Sequence, residues 1–131
     1  MLLLDTHIWL WWINATPEKL PPHLIDRIES DETVAVSSIS CFEVEWLARH
    51  GRIELNICLD DWFSSAISEA GIMCLPITEP IARLAASLPE HHKDPQDRLI
   101  IASAILHNSA VISADKQFPL YEEISHLLIQ P

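Results

Sequence analysis

The sequence predicts an α/β fold: a three-layer α/β/α sandwich with a central parallel sheet of four to five strands, in one domain over residues 1–131. Three observations carry this. Short apolar segments of strand character alternate four times with segments of helical periodicity, which implies right-handed β-α-β crossovers and helices on both faces of a sheet. The first segment, MLLLD, is apolar without interruption, as suits a parallel strand covered on both sides. A chain of 131 residues is long enough to bury one compact core.

The elements follow in order. Residues 1–5 form the first strand. Helical patterns occupy about 7–14 and 21–30, the second introduced by LPP, with proline suited to the first helical position. TVAVSS at 33–38 is β-branched and alternating, and is the second strand. SCFEVEWLARHG (40–51) is a helix closed by Gly51. Asp60 to Gly71 is amphipathic, with Trp62, Phe63, Ala66, Ile67 and Ala70 on one side. IMCLPI at 72–77 is the third strand and 79–88 a helix; DPQDRLIIASAILHNS begins another at about 95. VISAD at 111–115 is the fourth strand, and SHLLIQP a short edge strand. No repeat, low-complexity stretch or linker interrupts the series.

Composition excludes several classes. Hydrophobic residues make up 49% and glycines number two, so disorder is excluded. No apolar run approaches the ~20 residues that span a bilayer, and no basic segment precedes the first apolar run as in a signal peptide. Cys41, Cys58 and Cys74 lack metal-type spacing and read as buried thiols of a cytoplasmic protein. The net charge of −11 argues against a broad basic face for nucleic acid, but is compatible with a small acidic site that holds cations.

In open α/β sheets the functional crevice lies at the carboxyl ends of the strands, near the switch in strand order. Asp5 and Asp115 each end a strand. Glu43 falls in the first turn of the helix after the second strand, while Asp94 and Asp97 open the helix before the fourth. Each has a structural reading. Asp5 is a helix N-cap or a ligand at the sheet mouth, and Asp115 starts a turn. Glu43 completes a capping box with Ser40, worth ~1 kcal/mol. Asp94 with Pro95 is an N-cap, and Asp97 gains ~0.3–1 kcal/mol from the helix dipole. Convergence changes the balance, because two carboxylates ~4 Å apart repel by about 4 kcal/mol at an effective dielectric near 20. Such a cluster calls for a cation. Oxygen ligands without cysteine favour Mg²⁺ or Mn²⁺ over zinc, and the histidines lack zinc-type pairing; adjacent His91 and His92 read as a loop. A few carboxylates around Mg²⁺ are suited to phosphodiester cleavage. Ser113 lies on the same side of its strand as Asp115, placed to orient a water.

With these residues in place the chain resembles a PIN-domain ribonuclease of the VapC type, the toxin of a type II toxin–antitoxin pair. The pattern LLDTHxxLWW is matched by LLLDTHIWLWW. A serine-flanked helix carrying W-E-I and ending G-R-L-E-L is matched by CFEVEWLARHGRIEL, HxDPFDRLLIAQA by HKDPQDRLIIASA, and a strand ending T-x-D before F and Y by VISADKQFPLYEE. The match spans nearly the whole chain in order. It implies a PIN-like fold, a Mg²⁺-dependent endoribonuclease (Mn²⁺ a substitute), and metal-site acids at Asp5, Glu43, Asp97 and Asp115. Ser113 stands where threonine is commoner, and Asp94 and Arg98 are supporting residues; for Arg98, a substrate contact and a solvated first-turn side chain both stand. The resemblance further implies RNA as substrate, a homodimer, and a cognate antitoxin with a basic C-terminal segment in the groove.

Three positions depart from the pattern: Phe42 for tryptophan, Gln96 for phenylalanine, and Leu47 for lysine one turn after Glu43. Basic groups near the site thin to Arg49, Arg98 and Lys116. Trp9, Trp11 and Trp12 cover more than one helix face and read as core and dimer-interface packing. Two other readings compete: a non-catalytic PIN-fold binding protein, and a receiver-like signalling domain. The latter needs an aspartate at the end of the third strand, where MCLPITE has none.

Overall fold

The structure, a computed structural model, describes residues 1–16 and 18–131. Five parallel strands form one sheet: β1 (Leu2–Leu4), β2 (Val34–Ser37), β3 (Met73–Leu75), β4 (Ala110–Ile112) and β5 (Leu128–Ile129), in the order β3-β2-β1-β4-β5. The chain builds outward from β1 through β2 to β3, then returns to the other side of β1 with β4. The switch in strand order therefore lies between β1 and β4.

Among the described residues six α-helices flank the sheet: α1 (Thr6–Ile13), α2 (Pro22–Ser30), α3 (Ser38–Arg49), α4 (Leu59–Phe63), α5 (Glu79–Ser87) and α6 (Pro95–His107). The uninterrupted apolar run of β1 is used on both faces. Leu2 and Leu4 join Val34, Val36 and Ile112 in a core with α1, α2, Val44 of α3 and Trp62 of α4. Leu3, pointing the other way, joins Ala35, Val111, Leu75, Ile100 and Phe118. This is the expected three-layer sandwich.

Several boundaries differ from expectation, each for a local reason. The fourth strand stops at Ile112, so Asp115 lies beyond it on a loop that Ser113 begins. The third strand is three residues long and forms a sheet edge. Cys74 is therefore exposed, as is Cys58 before α4, while Cys41 is half-buried; the cysteines are not uniformly core thiols. The helix after β2 begins at Ser38, because Ser37 ends the strand and caps the helix by accepting from the Ile39 N–H at 3.2 Å. Ser40 is thus inside α3 and Glu43 in its second turn, so the Ser40–Glu43 capping box does not form. The amphipathic segment near 60–71 divides into α4 and a π-helical stretch, Ser64–Glu69. Gly51 at φ +66° ends α3 with the paired bonds of a Schellman motif, Arg52 N–H to Leu47 O at 2.9 Å and Gly51 N–H to Ala48 O at 3.2 Å. Trp9 is fully buried, its indole N–H donating to Ala66 O at 3.1 Å, so the monomer itself accommodates it. No helix among the described residues is long and apolar enough to cross a membrane.

Candidate functional site

At the carboxyl ends of β1 and β4 lies a cleft of about 370 Å³, lined by Asp5, His7, Trp11, Glu43, His92, Asp94, Asp97, Ala114 and Asp115. The strand switch opens this gap, and helix N-termini place most of the acids in it.

Of the two roles the sequence left open, Asp5 fills that of helix N-cap, and its carboxylate also lines the cleft. One carboxylate oxygen caps α1, accepting from the Ile8 N–H at 2.9 Å, while the other accepts the hydroxyl proton of Ser113. Burial pushes its carboxyl above the usual range, the hydrogen bonds from Ser113 and Ile8 oppose that, and nearby Asp115 adds to it. Ser113 is fully buried and also accepts from the Asp115 N–H at 3.0 Å. Its hydroxyl donates to Asp5, so it ties the first strand's acid to the fourth strand's loop.

Glu43 reaches the cleft from the second turn of α3. Burial raises its carboxyl, with His7 opposing, and its Oε1 is buried with no hydrogen-bond partner. Asp94 is the N-cap of α6, accepting from the Gln96 N–H at 2.9 Å, with Pro95 at the first helical position. Asp97 follows in the first turn. Its carboxyl is pushed up to about 7, first by burial and then by Asp94, with His92 opposing and Asp115 and Glu43 adding. Asp115 accepts from the Gln117 N–H at 2.7 Å. All four acids implied as metal ligands therefore line one cleft, together with Asp94.

Arg98 is not the solvated first-turn side chain that was one of its two expected readings. It points away from the cleft and is buried, donating from Nε to Ala85 O (3.0 Å), from Nη1 to Pro89 O (2.9 Å) and His92 O (3.1 Å), and from Nη2 to Leu88 O (2.7 Å) and Ala86 O (3.3 Å). A guanidinium's planar set of donors matches the carbonyls left open at the end of α5. Arg49 is exposed and paired with Glu45, and Lys116 is exposed.

His92 is the site residue that sequence reasoning missed. Its Nε2 lies 2.8 Å from Asp97 Oδ2 and 3.2 Å from Asp115 Oδ2. The signal was present: the histidine of HxDPxDR is in this position, although beside His91 it read only as part of a loop without zinc-type pairing. His91 instead packs edge-on against Tyr121.

The donor chemistry fits a hard divalent cation. Several carboxylates are held together against repulsion, three of them with raised pKa values, and one buried oxygen lacks a partner. A cation would lower the cost of each.

A family model described as PIN domain matches residues 2–124. Ribonuclease VapC22 of Mycobacterium tuberculosis (strain ATCC 25618 / H37Rv) is 36% identical over 117 residues, covering 88% of each chain. Among solved structures, VapBC2 from Rickettsia felis bound to a promoter DNA fragment aligns with a TM-score of 0.71 at 17% identity, covering 100% of this chain and 99% of that one. DNA-bound VapBC from Salmonella typhimurium also reaches 0.71, at 16% identity, with 98% and 96% covered. At these identities the structural likenesses show the fold.

Proposed function

The chain belongs to the PIN-domain family, and from that membership and the chemistry of the cleft we propose that it is a metal-dependent endoribonuclease. It acts as the toxin of a type II toxin–antitoxin pair, inhibits growth by cleaving RNA in the cytoplasm, and is neutralised by a cognate antitoxin. The observation that carries the reading is the convergence of Asp5, Glu43, Asp97 and Asp115 at one strand switch, with a buried carboxylate oxygen left unpartnered.

Those four residues would hold Mg²⁺, with Mn²⁺ a substitute. When bound, such an ion polarises a phosphoryl oxygen and lowers the pKa of a water at neutral pH. The protein's own part is to hold the carboxylates rigidly: Ser113 and the Ile8 N–H orient Asp5, the Gln117 N–H orients Asp115, and Asp94 starts the helix that presents Asp97. The named ribonuclease relative and the VapBC complexes among the fold neighbours support this assignment.

The antitoxin partner follows from electrostatics as well. Five carboxylates line the cleft and, among the described residues, no Lys or Arg does. A segment rich in Arg or Lys at an antitoxin's C-terminus would place a cation among Asp5, Asp97 and Asp115. A homodimer completes the assembly. The lack of a basic side chain in the cleft also favours a second reading, a non-catalytic PIN fold used for binding alone. One assay separates them. Purified chain is incubated with total cellular RNA, with and without Mg²⁺ or Mn²⁺, and the ends are mapped; discrete metal-dependent ends are expected. RNA left intact in both metals would sink the nuclease reading in favour of binding.

A further inference from the structure

We infer that His92 is a positioning residue: it holds Asp97 and Asp115 together as an Nε2–H donor and is not itself a ligand of the ion those carboxylates would take. The inference rests on the metal-dependent function proposed above.

At first sight His92, Asp97 and Asp115 could form a three-ligand site, since one donor atom from each lies within 4.8 Å of the others. The hydrogen bond on the far side of the ring decides otherwise. The backbone N–H of Asp94 donates to His92 Nδ1 at 3.2 Å. A backbone N–H can only donate, so Nδ1 presents its lone pair there, and the neutral ring carries its proton on Nε2. A proton on Nδ1 would face the N–H of Asp94, so this geometry places the ring's donor at Nε2. The atom facing Asp97 and Asp115 is therefore a donor, shared between two carboxylates at 2.8 and 3.2 Å. It has no lone pair to offer a cation.

The ring can serve as a clamp because its backbone is anchored. The His92 N–H donates to Tyr121 Oη at 2.9 Å, and the His92 carbonyl accepts from Arg98 at 3.1 Å. Tyr121 and Arg98 also meet at Pro89 O, to which they donate at 2.8 and 2.9 Å. Arg98 thus acts on the site from behind, through the loop that carries His92. The histidine N–H draws together two acids that otherwise repel, and keeps them at a spacing a cation can use. Partners outside the coordination sphere that orient ligands in this way typically change metal affinity by 10–100-fold when removed.

The test uses the purified full chain and Mn²⁺, with free Mn²⁺ read by electron paramagnetic resonance. Wild type should bind the ion, and H92A should bind it about 10–100-fold more weakly. H92Q places an amide N–H near the position of Nε2 and should recover most of the affinity. Pulsed spectra of the wild-type Mn²⁺ complex should show no directly bonded nitrogen. A nitrogen coupling that H92A and H92Q both abolish would make His92 a ligand and overturn the inference. So would unchanged affinity in H92A, or tighter binding, which would make His92 a competitor for the ion's place. Should H92A fail to fold by circular dichroism, H92Q and the wild-type spectrum decide alone. Absence of Mn²⁺ binding by wild type is a separate result, and would overturn the metal-dependent reading itself.

Discussion

Asp97 stands in the first turn of α6 among Asp94, Asp115, Glu43 and His92, and its carboxyl is pushed up to about 7, chiefly by burial. The helix dipole favours its negative charge by only ~0.3–1 kcal/mol, so a raised pKa means that burial and its acidic neighbours prevail. Asp97→Asn removes the charge, keeps the shape, and retains an oxygen that can accept from His92. In EDTA at pH 8 the variant should therefore melt higher than wild type, while Mg²⁺ affinity and RNA cleavage fall together. The pH dependence has a definite sign. The folded pKa lies above the ordinary value of 3.8, so the stability Asp97 contributes is fully present below about 4 and lost as pH rises through about 7. The advantage of the variant should be absent near pH 4 and complete above pH 7. A variant that melts lower in EDTA yet cleaves RNA at the wild-type rate would remove Asp97 from the metal site.

Among elements, the loop from Leu88 to Lys93 is the one whose order matters most, since it presents His92. Arg98 donates to the carbonyls of Ala85, Ala86, Leu88, Pro89 and His92. Each buried carbonyl deprived of its donor costs ~1–3 kcal/mol. Arg98→Ala should thus lower unfolding free energy by at least ~3 kcal/mol in urea titrations and open this loop to protease. Arg98→Lys should rescue little, because an ammonium cannot span carbonyls arranged around a planar fork. A near-neutral alanine variant would show that water replaces the guanidinium without loss. The periodicity of α6 was legible in DPQDRLIIASAILHNS, and so was its Asp94–Pro95 start. The direction of the Arg98 side chain was not, because an arginine in a first helical turn looks the same whether solvated or buried until the preceding helix is placed. The π-helical stretch Ser64–Glu69 was likewise invisible, its apolar spacing being compatible with an ordinary helix.

For the molecule as a whole, charge and apolar surface bear on its partners. The net charge is −11, and the cleft concentrates five carboxylates. Binding to a basic antitoxin segment should weaken steadily as salt rises from 50 to 500 mM, since the Debye length falls from roughly 14 to about 4 Å over that range. A tight complex indifferent to salt in a calorimetric titration would point to an apolar contact instead. Trp9 is buried in the monomer, but Trp11 and Trp12 remain partly exposed, and Phe42, Trp46 and Met73 are 54%, 40% and 49% exposed. Large aromatics left at a surface are characteristic of interface cores. Sedimentation at micromolar concentration should give a dimer, and a strict monomer with or without antitoxin would rule it out.

By itself the sequence determined the layer architecture and the set of acids. An uninterrupted apolar run such as LLL in an alternating α/β pattern suits a strand covered by helices on both faces, and carboxylates at element starts must lie near strand and helix ends. Those are consequences of periodicity and capping, which act over a few residues. Only the tertiary structure decided which groups meet. Asp5 and Ser113 are 108 residues apart and touch because β4 returns beside β1. His92 reaches Asp97 and Asp115 because Arg98 and Tyr121 fold its loop back onto α6. Such contacts depend on strand order and side-chain direction, and both are settled by burial across the whole chain rather than by any local pattern.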